Sequence, residues 1–156
     1  MKLRVLAYNQ MYEHFGEMEQ PPGSNRGTVV DWAIGPWISK EQKILSLPWC
    51  AGAVCTAYLE AGSKDIKLIG SLSVDRLFLG VSKVGEVQLR KQSSLFYPEH
   101  GDFVFFGKSR NNLTHVGLID KYDVESGCMY TLEGNHNNGV FRVFRKDCFA
   151  IGKIFK

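Results

Sequence analysis

The sequence lacks long apolar runs, internal repeats and low-complexity segments. Without a run of about 18 apolar residues, no transmembrane helix is predicted. Hydrophobic residues make up 44% of the chain and charged residues 22%, which is ordinary for a folded domain. This composition excludes disorder, collagen and coiled coil as the main state. A chain of 156 residues is predicted to form one domain, covering residues 1–156.

A strong charge of either sign is also missing. The formal net charge is only +3, so charge does not predict a nucleic-acid partner. The apolar stretch that follows Arg4 ends before Asn9 and is too short for the core of a signal peptide. We therefore expect synthesis in the cytoplasm, and any action outside the cell would depend on export by another agent.

Cysteine is scarce, and its spacing disfavours the common zinc motif. No two of the four cysteines form a Cys-x-x-Cys pair, so a zinc ribbon is disfavoured. Four cysteines allow three complete disulfide pairings or none, and small buried thiols are the ordinary interpretation. A redox or zinc protein therefore comes last among the functional alternatives. The four residues are Cys50, Cys55, Cys128 and Cys148.

The spacing of apolar residues changes along the chain from helical to strand-like. The first part predicts helices at residues 8–15, 28–33 and 50–61, and another that begins after Ser73. One face of the first carries Tyr8, Met11, Tyr12 and Phe15, and one face of the last carries Val74, Leu77, Phe78 and Val81. Strands are predicted at residues 102–106, 114–120, 128–133, 140–146 and 150–155. Helices followed by strands indicate the α+β class with an antiparallel sheet.

Cys50 opens the third predicted helix and is a candidate nucleophile. The unpaired N–H groups of a helix N-terminus favour a thiolate. Cys50 also shares an apolar stripe with Val54, so that it faces whatever the helix packs against. Cys55 lies about 140° around the helix and is not expected to share that site. The alternative is a buried structural cysteine.

His115 and Glu133 are the candidates for a base and its orienting group. A hairpin that is symmetric about Val124 puts His115 directly opposite Glu133, with Cβ atoms about 4.5–5.5 Å apart on one face. The carboxylate is then expected to accept the imidazole Nδ1–H and set the tautomer. Asn135 projects from the same face if the strand continues. A one-residue slip in register would break this geometry, and the alternatives are a structural histidine and a solvent-facing strand end.

Five short motifs carry a resemblance to a known family. They are Asn25-Arg26-Gly27, Pro48-Trp49-Cys50-Ala51, the segment 98–106 (PEHGDFVFF), His115-Val116-Gly117 and Glu133-Gly134-Asn135. In this order and spacing, over residues 23–143, the chain resembles the CHAP family of cysteine, histidine-dependent amidohydrolases and peptidases. That family is a branch of the papain-like fold.

The resemblance implies a fold, a reaction and four site residues. N-terminal helices would pack on a five- to six-stranded antiparallel sheet. Cys50 would be the nucleophile, His115 the base and Glu133 its orienting group, with Asn135 as a polar fourth member. Family members cleave bacterial peptidoglycan as N-acetylmuramoyl-L-alanine amidases or as endopeptidases. Many are bacteriophage endolysins, virion-associated lysins or bacterial wall hydrolases.

Departures from the family pattern shape the expected partners. Some members carry an aspartate-rich calcium loop before the cysteine, but residues 39–49 contain no aspartate, so no metal or other cofactor is expected. No separate wall-binding domain is expected either. The catalytic domain, predicted to be a monomer, would then bind peptidoglycan itself or be delivered to the wall by a holin or virion partner.

Three further residues are expected to contact substrate, and two other functions stay open. Trp49 stands beside the nucleophile, Tyr97 belongs to an aromatic pair, and Asn25 lies in a loop ahead of a helix. Core packing is the alternative for the aromatic rings, and helix capping for Asn25. The functional alternatives are a papain-like thiol hydrolase of a protein or small amide, and a non-enzymatic wall-binding module.

Overall fold

The computed structural model describes residues 1–38, 48–90 and 95–155. These contain five α-helices, one 3-10 helix at Gly35–Trp37 and six β-strands, and all of these helices precede the strands of the sheet in the chain. The helices are α1 (Leu3–Tyr12), α2 (Thr28–Ile34), α3 (Cys50–Glu60), α4 (Lys64–Ile69) and α5 (Val74–Val84). The strands are β1 (Glu86–Leu89), β2 (Phe103–Ser109), β3 (Asn112–Tyr122), β4 (Met129–His136), β5 (Gly139–Arg145) and β6 (Ala150–Lys153).

The six strands form one antiparallel sheet in the order β1-β6-β2-β3-β4-β5. The predicted α+β class, with N-terminal helices and an antiparallel sheet, is confirmed. The five predicted strands correspond to β2 through β6. Two short elements, α4 and β1, were not predicted, because six and four residues are too few to show a period.

Helix α5 follows its sequence pattern closely. Its four predicted core residues are the ones that are buried, and the Ser73 hydroxyl caps the helix by accepting from the Arg76 backbone N–H at 3.3 Å. In contrast, the predicted face of α1 is partly wrong. That helix ends at Tyr12, so Tyr12 and Phe15 are 50% and 47% exposed instead of joining the core.

Both faces of the sheet are covered. Along β2, Phe103 and Phe105 point into the core between the sheet and the helices, whereas Val104 belongs to a second cluster on the other face. This alternation is that of a strand whose two sides are both buried. Among the described residues, no helix has both the length and the apolar character needed to cross a membrane.

Helix α3 lies at the centre of the molecule and packs against α1, α2, β3 and β4. Its residues from Cys50 to Tyr58 are all buried, so the apolar stripe predicted on one face extends around the whole helix. Gly134 allows the close approach of β4, because a Cβ there would lie 2.7 Å from the Ala53 Cβ and 3.0 Å from the Trp49 ring. The position of Cys50 over the sheet therefore depends on a glycine.

We expect Gly134→Ala to lower the free energy of unfolding by about 1–3 kcal/mol, because the added methyl meets atoms of a packed core. Urea denaturation measures the loss. Gly35→Ala is the matched control, since a Cβ at Gly35 meets nothing within 4 Å, and its effect should stay within about 0.5 kcal/mol. Equal stability of the two variants would contradict this account of the helix–sheet contact.

Candidate active site

The first residue of α3 is Cys50, as the sequence predicted. Trp49 precedes it in a non-helical conformation and provides no side-chain cap. The first-turn N–H groups of a helix have no partner within the helix, so they present partial positive charge at its start. Cys50 itself is 3% exposed. The thiol therefore sits where a developing negative charge is favoured.

His115 on β3 lies between Cys50 and Glu133. Its Nε2 atom is 2.7 Å from Oε2 of Glu133, and the Cys50 thiol is near enough to the imidazole to raise its pKa. Because Nε2 is engaged by the carboxylate, Nδ1 is the ring nitrogen left for the sulfur. The expected contact of Glu133 with Nδ1 is thus wrong, and the contact with Nε2 replaces it. The three predicted residues are brought together in the predicted order.

The hairpin register differs from the symmetric one that the sequence suggested. Leu118 pairs with Leu132, so His115 and Glu133 are diagonal neighbours and not directly opposite. The two side chains still share one face of the sheet, as predicted. The observed register differs from the symmetric one by two residues here, and an even displacement leaves each side chain on the same face. A diagonal pair is within reach of long side chains.

A β-bulge on β3 decides which face Glu133 occupies. Near the turn Lys121 pairs with Tyr130, but one step further along β4 the partner of Thr131 is Ile119. Asp120 is therefore the extra residue that has no partner of its own. Without it, the alternation would be reversed and Glu133 would project from the face opposite to His115. The bulge is a feature of the tertiary structure that the sequence spacing did not reveal.

Gly117 leaves room for the diagonal contact. A Cβ at Gly117 would lie 2.8 Å from Cγ of Glu133 and 3.0 Å from the carbonyl oxygen of Leu132. The Glu133 side chain therefore passes over this glycine on its way to His115. The glycine of the His115-Val116-Gly117 motif thus has a direct steric role in the site.

Glu133 is fully buried and is held by two residues that the sequence analysis missed. Arg145 donates from Nε to Oε1 at 2.8 Å and from Nη2 to Oε2 at 2.6 Å, and the Thr131 hydroxyl donates to Oε1 at 2.6 Å. Burial raises the pKa of Glu133, but the hydrogen bonds from Arg145 and His115 outweigh it and bring the pKa to about 2. Arg145 follows the partners of Glu133 and Thr131 on β5 at intervals of two residues, so it lies on the same face of the sheet. The sequence would have indicated it only with the pairing of β4 and β5 known.

The protonation of His115 is governed by its two neighbours. Burial lowers its pKa, but the neighbouring Cys50 thiol and Glu133 carboxylate raise it from an ordinary 6.5 to about 9. The buried, ionised Glu133 beside the ring favours the imidazolium form of His115. His115 is therefore charged near neutral pH and is able to donate a proton.

The segment after Glu133 leaves the regular strand. Asn135 adopts a left-handed conformation with φ of 57°, where the pairing with β5 is interrupted. Its side chain forms no hydrogen bond with the residues that the structure describes, so its role as a fourth member stays a prediction. His136 lies near the same carboxylate, with its Nδ1 atom 3.7 Å from Oε2 of Glu133. Burial lowers the pKa of His136, which favours its neutral form there.

Trp49 does not line a cleft, because its ring is fully buried. Its Nε1–H donates to Oε1 of Glu19 at 2.8 Å, and Oε2 of Glu19 accepts from the backbone N–H of Asn25 at 3.1 Å. The expectation that Trp49 contacts substrate is therefore corrected: it supports Cys50 from within the core. Asn25, in a left-handed conformation with φ of 51°, is tied to it through Glu19.

Tyr97 lies apart from the other candidates. It is 60% exposed, and its ring meets Tyr122 edge-on at 6.5 Å. Together with Phe96 it lines a cavity of about 440 Å³ that none of Cys50, His115 and Glu133 borders. The structure does not bring Tyr97 to the catalytic candidates, and a role in binding stays a prediction.

The four cysteines are all free thiols. Burial raises the pKa of both Cys55 and Cys148 to about 12, so these two remain protonated at neutral pH. Cys128 is partly buried and borders a cavity together with Tyr122 and Tyr130. Within residues 1–38, 48–90 and 95–155, no group of three or more His, Cys, Asp or Glu side chains is arranged to hold a metal ion. The expectation that no calcium loop precedes Cys50 concerned residues 39–49, and most of these lie outside the described residues.

Comparison with protein-family models, curated proteins and solved structures finds no match to this chain. The chemistry of the site therefore has to be inferred from its own geometry. A thiol at a helix start, an imidazole beside it and a buried carboxylate behind the imidazole provide a nucleophile, a base and an orienting group.

We expect Glu19→Ala to lower the free energy of unfolding by about 2–3 kcal/mol, because the buried Trp49 N–H loses its acceptor. Glu19→Gln should cost less, since its amide oxygen still accepts one of the two hydrogen bonds. Urea denaturation measures both. Glu17→Ala is the matched control, because that nearby carboxylate pairs with His14 at 44% exposure. A loss at Glu17 equal to the loss at Glu19 would contradict this role.

We expect an NMR titration to place the pKa of His115 near 9, and Cys50→Ala to lower it because one of the two groups that raise it is removed. An unchanged pKa in Cys50→Ala would contradict the contact. The folded pKa exceeds the unfolded value of about 6.5, so proton binding favours the folded state. Its contribution to stability is complete below about pH 6.5 and is lost as the pH rises through about 9.

Proposed function

We propose that the chain is a cysteine-dependent amide hydrolase that cleaves bacterial peptidoglycan. The observation that carries the proposal is the pairing of His115 with the buried Glu133 carboxylate at 2.7 Å, beside a Cys50 thiol that is near enough to raise the pKa of the imidazole. A thiol, an imidazole and a carboxylate in this order are the parts of a thiol-based acyl transfer. The three residues come from one helix and two strands of different sequence regions.

The first half of the proposed reaction transfers the acyl group to Cys50. The thiolate attacks the amide carbon, and the C=O electron pair moves to oxygen to give a tetrahedral oxyanion. The imidazolium of His115 donates its proton to the leaving nitrogen as the C–N bond breaks. The products of this half are a free amine and a thioester on Cys50. The backbone N–H of Cys50, at the start of α3, is the proposed donor to the oxyanion.

The second half regenerates the thiolate. Neutral His115 takes a proton from water, and the resulting hydroxide attacks the thioester carbon. The C–S bond then breaks and leaves a carboxylic acid product, a Cys50 thiolate and a His115 imidazolium. Glu133 keeps the imidazole oriented through both halves of the reaction. It accepts a hydrogen bond from Nε2, which leaves Nδ1 to transfer protons beside the Cys50 sulfur.

The choice of peptidoglycan rests on the resemblance of the five sequence motifs to the CHAP family. The bond would be the sugar–peptide amide or a bond within the peptide stem. In this proposal a partner, such as a holin or a virion component, brings the protein to the wall. A papain-like hydrolase of another amide has the same catalytic parts, so the experiment includes that outcome.

We expect purified peptidoglycan to be cleaved by the wild type and left intact by Cys50→Ala. Turbidity follows the reaction, and mass spectrometry of the new ends identifies the bond. Cys128→Ala is the matched control, because it removes a partly buried thiol that lines a cavity bordered by none of Cys50, His115 and Glu133, and it should keep wild-type activity. Cleavage by Cys50→Ala would exclude the assigned nucleophile. No cleavage by a folded wild type would favour the other thiol hydrolase.

We further expect His115→Ala to lower kcat by about 10²–10⁴-fold, because the proton transfers lose their carrier. Glu133→Gln should lower kcat less, since the base remains and only its orientation and charge partner are lost. Initial rates on a soluble peptidoglycan fragment measure both. Equal residual rates in the two variants would contradict the division of roles between base and orienting group.

A further inference from the structure

The edge strand β5 contributes a cation to the candidate site that the proposed mechanism has not used. Arg145 lies at the end of β5 and reaches the buried Glu133 carboxylate on β4. We propose that Arg145 is a positioning residue, which keeps Glu133 ionised and in the one orientation that His115 needs throughout the reaction. This inference rests on the proposed function.

The hydrogen bonds of Glu133 leave its carboxylate no freedom to turn. Oε1 accepts from Thr131 at 2.6 Å and from Nε of Arg145 at 2.8 Å. Oε2 accepts from Nη2 of Arg145 at 2.6 Å and lies 2.7 Å from Nε2 of His115. A carboxylate has about four acceptor positions, so all of them are used. Of these described partners, Arg145 alone contacts both oxygens, and its planar fork defines the plane of the carboxylate.

Charge gives a second reason why Glu133 needs Arg145. The titratable groups that face the carboxylate are His115 from β3, Arg145 from β5 and His136 from β4 itself, at 3.7 Å, with Cys50 from α3 acting through His115. His115 has to lose its proton during the reaction, and His136 is held toward its neutral form by burial. Only Arg145 carries a charge that stays through every step.

Phe106 restrains the guanidinium from the side. The Cζ atom of Arg145 lies 4.5 Å from the centre of the Phe106 ring, and the His115 ring centre is 5.9 Å from the same ring. A cation over an aromatic face is stabilised there. The Phe106 ring therefore borders both Arg145 and His115, which helps to hold these two side chains in place around Glu133.

The same strand offers a matched control. Arg142, three residues before Arg145, also pairs with a carboxylate, that of Asp120, and also lies over an aromatic ring, 4.3 Å from the centre of Tyr130. It has no contact with Glu133. Its side chain is 39% exposed, compared with 30% for Arg145. A variant of Arg142 therefore measures the effect of removing a paired arginine from β5 without removing a contact to Glu133.

The first test follows the Glu133 carboxyl group by ¹³C NMR, with Glu133→Gln for assignment, and needs no substrate. The pKa of Glu133 is expected near 2 in the wild type. Arg145→Met should raise it by more than about one unit, because the buried carboxylate loses its permanent counter-charge. Arg145→Lys should restore most of the lowering, and Arg142→Met should leave it unchanged. An unchanged titration in Arg145→Met would overturn the proposal.

The second test is a double-mutant cycle on a soluble peptidoglycan fragment. Arg145→Met should lower kcat by about tenfold or more with little change in KM, but it should have less than about a twofold effect in the Glu133→Gln background, because Arg145 acts through Glu133. The same fold loss in both backgrounds would overturn the positioning role. Arg142→Met should keep wild-type kcat.

Arg145→Lys keeps the test decisive if Arg145→Met does not fold. Lysine retains the charge but lacks the planar fork that defines the plane of the carboxylate, so kcat should fall while the pKa of Glu133 stays low. Wild-type kcat in Arg145→Lys would overturn the proposal. A folded wild type with no activity on peptidoglycan would instead contradict the proposed function, and the NMR titration would still decide whether Arg145 keeps Glu133 ionised.

Discussion

A fully buried carboxylate is the constraint on which the candidate site depends. Removing Glu133 from water is costly unless its charge is matched and its lone pairs are filled. Arg145, Thr131 and His115 meet that requirement from three strands. The arrangement ties the centre of the sheet to its edge strand and orients the imidazole as a consequence. The chemistry of His115 is thereby linked to the completeness of a buried polar network.

The position of the thiol depends on a different kind of contact. Cys50 is carried by a helix that is buried on all sides, so its place is set by packing and not by hydrogen bonds of its own. Gly134 lets β4 approach that helix. Glu19 accepts a hydrogen bond from the indole of Trp49, the residue that precedes Cys50 in the sequence. Nucleophile and base are thus positioned by two separate sets of contacts, and α3 packs against both β3 and β4.

Much of the fold follows from local patterns. The core face of α5 and the five strands from β2 to β6 could be predicted, because periods of 3.6 and 2 residues mark which side chains share a face. The short elements α4 and β1 could not, since each is too short to show a period, and β1 is a strand only through its pairing with β6, about 60 residues further along the chain. The extent of α1 was also misjudged, because Tyr12 and Phe15 continue the helical spacing beyond the point where the helix packs.

The sequence by itself determined the identity of the nucleophile, base and carboxylate candidates, because residue type and position within a helix or strand are local properties. Tertiary structure decided how they meet. The bulge at Asp120 set the face of Glu133, and strand pairing delivered Arg145 to it. Register and bulges depend on contacts summed over whole strands, so spacing along the chain does not encode them in a form that can be read directly.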